Sequence, residues 1–175
     1  MLIRKKQKSD IEKEKPYKNN WQKVRDLNLC PTCEHAKRKD IFIENDNEYI
    51  YEDDLFLAKF ESWPRREGHS IIIVKPHYED ISEMPIDLAH TFMAISKSLI
   101  DSLMIVLNPI KVYLVTMCDG GRNHLHFQYI PRFDGETHGK HVFVSQRQSF
   151  NYDKAKVEKI ILEFNKKLKE YNYYL

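Results

Sequence analysis

Apolar and polar positions repeat with period two in several short stretches of the chain and with a period near 3.6 in two long ones. Tyr49–Tyr51 and Leu55–Phe60 read as strands flanking Asp53-Asp54, which predicts a hairpin turn. Ser70–Val74 is β-branched and predicts a buried strand that follows Gly68 and ends at Lys75-Pro76. Leu88, Ala89, Phe92, Ile95, Leu99, Leu103 and Val106 recur at helical spacing, between Pro85 in the first turn and a stop at Asn108-Pro109. Lys111–Thr116 predicts the next strand, and Gly120-Gly121 a tight loop. From His124 to Ile130 the alternation puts His124, His126, Gln128 and Ile130 on one face and Leu125, Phe127 and Tyr129 on the other. Pro131 is expected to close that strand, and Val142–Val144 to form another short one. A second long helix is expected from an N-cap at Asp153, with Val157, Ile160, Ile161, Phe164, Leu168 and Tyr171 as its apolar stripe.

Strands and helices do not alternate regularly, so the pattern predicts an α+β domain with an antiparallel sheet and two main helices. A length of 175 residues fits one such domain, and 42% hydrophobic against 31% charged residues is a globular balance. Residues 1–20 are polar, charged and aperiodic. They read as a charged flexible tail ahead of a domain over 21–175. Lys plus Arg number 28 and Asp plus Glu 26, a net charge of +2, which argues against non-specific nucleic-acid binding. Basic residues nonetheless crowd the tail, from Arg4, Lys5 and Lys6 to Lys18. Three cysteines make a poor disulfide framework. No apolar run approaches the roughly 20 residues of a membrane helix, and the charged start resembles no signal peptide. The expectation is a cytoplasmic protein without a membrane partner.

Two groups of residues carry chemistry. In His124-Leu125-His126-Phe127-Gln128 three polar side chains leave one face of a strand. An imidazole there can ligate a metal, attack as a nucleophile, carry a proton, or simply face solvent. Cys30-Pro31-Thr32-Cys33 lets two thiolates reach one metal, or form a redox pair. The weak strand signal before it favours the metal, and histidines would have to complete the set.

Gly68-His69 through Lys75-Pro76-His77 is similar to the G-H-x-φ-φ-φ-x-K-x-H segment of the histidine-triad (HIT) superfamily, where φ is apolar. His124 through Pro131-Arg132 resembles its H-φ-H-φ-H-φ-φ-P-R signature, with Gln128 in place of the third histidine. That H-x-H-x-Q form is the one found in the galactose-1-phosphate uridylyltransferase and diadenosine tetraphosphate phosphorylase branches. The resemblance implies a HIT-like fold and a structural zinc held by Cys30, Cys33, His77 and His124. It also implies His126 as the nucleophile that attacks an α-phosphate, by way of a nucleotidyl-histidine.

Gln128 would donate to a phosphate oxygen. An amide cannot protonate a leaving group, which suits phosphate-type leaving groups rather than amines. Gly120, Gly121, Arg122 and Asn123 would cradle phosphate, although the loop can equally be a plain hairpin connection. Gly121 stands where relatives often carry a serine. Glu61 falls where the family often has a carboxylate on the ribose hydroxyls, and His69 is expected to be structural. The implied activity is a nucleotide hydrolase or nucleotidyltransferase acting on a nucleoside polyphosphate or nucleotide sugar, in a homodimer as in many single-domain relatives. Two rival readings remain: a nucleotide-binding module without turnover, and a zinc-dependent interaction module that works through the basic tail.

Overall fold

In the computed structural model the chain divides into two compact units, Met1–Asp46 and Asn47–Leu175. The structure describes residues 24, 29–37, 49–118, 123–139, 147 and 152–172. The expected tail over 1–20 and the strand over Val142–Val144 lie outside them, as do Gly120, Gly121 and Arg122.

The described part of the first unit contains a short helix, α1 (Pro31–Lys37), which the apolar spacing does not announce. Proline at its first position fits the fixed φ of an N1 residue. Glu34 N–H donates to the Cys30 carbonyl at 3.1 Å, closing the first turn.

The second unit is built on one five-stranded antiparallel sheet. Its strands are β1 (Tyr49–Glu52), β2 (Phe56–Phe60), β3 (Ser70–Val74), β4 (Lys111–Val115) and β5 (His126–Arg132), in spatial order β1-β2-β3-β5-β4. The first two form the expected hairpin. Asp53 fixes its turn by accepting from the backbone N–H groups of Leu55 at 2.8 Å and Phe56 at 2.6 Å. Two helices, α2 (Ile86–Leu107) and α3 (Lys154–Asn172), complete the α+β architecture. Asn108 stops α2 with a left-handed φ of 50°, its N–H donating to the Met104 carbonyl. Asp153 caps α3, its Oδ1 accepting from Ala155 N–H at 2.9 Å.

Register decides which side chains meet. Ile72 pairs with Phe127 and points to the helices, where Phe127 stacks on Phe92 at 4.1 Å between ring centroids. Leu125 and Tyr129 join the same core with Ile95, Leu99, Leu103 and Phe164. The alternate residues face the other way. Ile73 lies opposite His126 and Ile71 opposite Gln128, and Leu57, Ile71 and Ile73 form a second small apolar cluster on that face. The two-face reading is therefore realised from His126 onward, while the strand begins two residues later than expected and leaves His124 just ahead of it.

Two expectations need correction. Pro131 does not close β5, which runs on through Arg132, with Val112 opposite Pro131. The Ile110 N–H donates to the Arg132 carbonyl, so even-numbered residues of β5 turn their backbone groups to β4 and odd-numbered ones to β3. The β3 ladder ends at Ser70 opposite Tyr129. The N–H that Pro131 lacks would have pointed where no ladder partner remains, so proline costs nothing there. Secondly, one apolar segment does reach membrane length. The 22 residues of α2 include an 18-residue stretch with a mean hydropathy of 1.3, enough to span a bilayer by length and composition alone. Its stripe of Phe92, Ile95, Leu99 and Leu103 is buried in the core of the second unit.

Candidate functional site

The end of β3, the stretch before β5 and the start of β5 bring histidines together. His124 is buried, and its Nε2 lies 2.7 Å from the Val74 carbonyl. A carbonyl can only accept, so Nε2 carries the proton and Nδ1 of His124 keeps a lone pair. That lone pair faces Nδ1 of His77 at 3.2 Å, with the two rings edge to face. Burial, and the neighbouring His77 and His126 rings, lower the pKa of His124, against the opposing pull of the Val74 carbonyl.

His126 is oriented by the backbone of His124. Its Nδ1 lies 2.8 Å from the His124 carbonyl, which makes Nδ1 the donor and leaves the Nε2 lone pair uncommitted. Cys118 Sγ sits 3.5 Å from the same Nδ1 and 3.5 Å from the His124 carbonyl. His126 is half-buried, at the start of β5. Gln128, two residues on, points to the same face and is buried. Its Oε1 has no hydrogen-bond partner among the described residues.

The carboxylate of Glu61 lies just beyond β2. Its Oε2 pairs with Arg147 Nη1 at 3.1 Å, and its Oε1 accepts from Trp63 N–H at 3.4 Å. Arg147 is a partner that no sequence motif singles out, because the pairing joins positions 86 residues apart in sequence. Glu61 and His69 extend the β2–β3 ladder by one pair, Glu61 N–H donating to the His69 carbonyl at 2.9 Å. Asn123 is half-buried just before His124, while Gly120, Gly121 and Arg122 fall outside the described residues.

Cys30 and Cys33 belong to the first unit. The Cys33 N–H points at Cys30 Sγ at 3.5 Å across the start of α1. None of the three cysteines is in a disulfide. A helix following the C-x-x-C turn is a feature that redox pairs share, so the motif by itself separates neither chemistry.

Comparison with known proteins places these elements in a family. The HIT domain model matches residues 43–135, more than half of the chain. A HIT-like protein of Methanocaldococcus jannaschii is 34% identical over 95 residues, which are 50% of this chain and 70% of that protein. One of Borreliella burgdorferi is 29% identical over 96 residues, 51% and 69% of the two chains. Among solved structures, a zinc-bound histidine triad family protein from Mycobacterium smegmatis superposes with a TM-score of 0.60 at 17% identity, covering 78% of this chain and 94% of that one. A hypothetical histidine triad nucleotide-binding protein from Sulfolobus tokodaii gives 0.56 at 21% identity, covering 81% and 93%. The antiparallel sheet and the two helices are thus those of a HIT domain, and the chain belongs to the HIT family.

Proposed function

We propose that this HIT protein is a nucleotide hydrolase or nucleotidyltransferase, with His126 as its nucleophile. The observation that carries the proposal is the 2.8 Å contact between His126 Nδ1 and the His124 carbonyl. It fixes the tautomer in which Nε2 holds its lone pair outward, the form an in-line attack on phosphorus requires. In the first step a P–N bond forms between Nε2 and the α-phosphorus of a nucleoside polyphosphate or nucleotide sugar. The P–O bond to the leaving group breaks, and phosphate, diphosphate or sugar phosphate departs with the electron pair. In the second step water or a phosphate acceptor attacks the same phosphorus, and the P–N pair returns to Nε2. The rise in positive charge on the ring during the first step is stabilised through Nδ1–H by the carbonyl dipole.

Gln128 is assigned to a non-bridging phosphate oxygen through its amide N–H. It has no proton to give a poor leaving group, so phosphate-type leaving groups fit and amines do not. Gly120, Gly121, Arg122 and Asn123 are assigned to the phosphate cradle on their position before His124. Glu61 is assigned to the ribose hydroxyls. Its ion pair with Arg147 must then be shared with or exchanged for those hydroxyls as substrate enters. Three cysteines without a disulfide suit a reducing compartment, and we place the reaction in the cytoplasm.

Zinc is assigned to Cys30, Cys33, His77 and His124. The second unit itself supports the assignment. The two Nδ1 atoms lie 3.2 Å apart, close to the separation of about 3.3 Å that Zn–N bonds of about 2.0–2.1 Å impose at a tetrahedral angle. Two thiolates and two imidazoles leave no open coordination position, so the ion would brace the strand that bears His126 rather than take part in the reaction.

The test is intact-protein mass spectrometry after brief incubation with nucleotide sugars and dinucleoside polyphosphates. The wild type should gain one nucleoside monophosphate and His126→Ala none. Turnover in His126→Ala should fall at least about a thousandfold. Equal adducts in both proteins would remove His126 from the mechanism, and the absence of any adduct or turnover with every substrate would favour a binding module.

A further inference from the structure

Beside the nucleophile, the same sheet face carries a buried histidine that the chemistry above does not use. His69 has no exposed surface, and its backbone is tied to β2 and to Tyr152, whose hydroxyl donates to the His69 carbonyl at 3.4 Å. The ring is fixed as well. Its Nδ1 accepts the Arg65 backbone N–H at 3.0 Å, so in the neutral ring the proton sits on Nε2. That Nε2–H is buried, and it has no hydrogen-bond partner among the described residues.

The complementary orphan is on Gln128, whose buried Oε1 is an acceptor without a donor. Register brings the two together. Gln128 lies opposite Ile71, and His69 precedes Ile71 by two positions on the ladder that Glu61 extends, which makes His69 the diagonal same-face neighbour of Gln128. The pair stops short of full hydrogen-bond geometry, but the Gln128 side chain already acts on the imidazole as an acceptor does, favouring its protonated form. A buried donor and a buried acceptor each carry a desolvation cost that pairing with the other would relieve.

We infer that His69 is a positioning residue, whose Nε2–H donates to Oε1 of Gln128 and thereby turns the Gln128 NH₂ toward the phosphate beside His126. An amide has two nearly isosteric ends, and nothing in glutamine itself chooses which one meets an anion. Oε1 toward phosphate would be repelled; the NH₂ toward phosphate donates. His69 would select the donor end by occupying the acceptor end. This inference deepens the proposed function and rests on it for the phosphate, whereas the His69–Gln128 pairing itself does not.

The experiment uses the full-length zinc-replete chain labelled with ¹⁵N, as wild type, His69→Phe and His69→Gln. Long-range ¹H–¹⁵N correlations on the ring report the tautomer. The Gln128 side-chain amide resonances report its anchoring, and titration with AMP and UMP reports phosphate contact. The expected result is the Nε2–H tautomer in wild type and a single sharp Gln128 amide pair that shifts or broadens in His69→Phe. Nucleoside monophosphate binding should weaken about tenfold in His69→Phe. His69→Gln, which replaces the N–H donor near the Nε2 position, should restore both readouts in part. An Nδ1–H tautomer, or Gln128 resonances unmoved in His69→Phe, would overturn the inference. If His69→Phe does not fold, the wild-type tautomer and the His69→Gln amide spectrum decide. A wild type that binds neither nucleotide counts against the proposed function alone, because the tautomer and amide readouts need no ligand.

Discussion

At the scale of single residues, the second unit uses backbone carbonyls to decide where histidine protons sit. The Val74 carbonyl sets His124 and the His124 carbonyl sets His126. His69 is set instead by a backbone N–H. Burial pushes the His69 pKa down to about 4, with Glu61 and Gln128 raising it and Arg147 and Arg65 lowering it further. The free side chain titrates near 6.5. Between those values the unfolded chain binds a proton that the folded chain refuses. This contribution to stability is therefore intact above pH 6.5 and is lost as the pH falls through 4, up to about 3 kcal/mol in all. Urea unfolding of wild type and His69→Gln at pH 7 and pH 5 checks it. The wild type should lose more stability than the variant between the two, and parallel losses would show that His69 is not the titrating group.

At the scale of elements, the segment leading into β3 depends on one glycine. Gly68 has a φ of +75°, which side chains with a Cβ rarely adopt. A Cβ there would also run into Leu107 Cδ1 at the end of α2 and come within 3.2 Å of Pro131 Cγ on β5. Gly68→Ala should destabilise the chain by about 2–3 kcal/mol, the sum of the conformational cost and the overpacking. A shift in the urea midpoint worth less than about 0.5 kcal/mol would mean that α2 yields easily at Leu107. Elements with long, clean periodicity were legible from the chain. The stripe from Leu88 to Val106 gave α2, the β-branched run gave β3, and the alternation from Leu125 to Tyr129 gave the core face of β5. Pro131 misled because the cost of a proline depends on which neighbour its N–H would face, and that is a property of the ladder rather than of the strand. The seven residues of α1 were invisible because a helix of two turns has too few apolar repeats to register.

At the scale of the whole molecule, the candidate site is legible in unequal parts. The histidine motif could be read because β-strand spacing puts His126 and Gln128 on one side of β5 whatever the rest of the chain does. Arg147 and the orphaned pair of His69 and Gln128 could not, because they arise from contacts between segments distant in sequence. The proposed zinc makes a prediction that only the complete chain can answer. A chelator should lower the melting temperature by about 5–10 °C. Metal analysis should find stoichiometric zinc in wild type and well under half of that in Cys33→Ala and His77→Ala. A chelated protein that melts unchanged would remove a structural zinc from this chain, and variants that retain full zinc would remove Cys33 and His77 as its ligands.

Position 124 serves two masters, and this limits how the site can be rebuilt. Its imidazole points toward His77, while its carbonyl holds the proton of His126. Anyone retuning the proposed metal site through a substitution at 124 would change the ring that the Val74 carbonyl anchors, and with it the peptide whose carbonyl holds His126, the proposed nucleophile. A change at 77 carries no such penalty, because no backbone group of His77 touches His126 among the described contacts. A substitution at 77 therefore tests the proposed zinc while leaving the carbonyl that holds His126 in place, whereas one at 124 alters both.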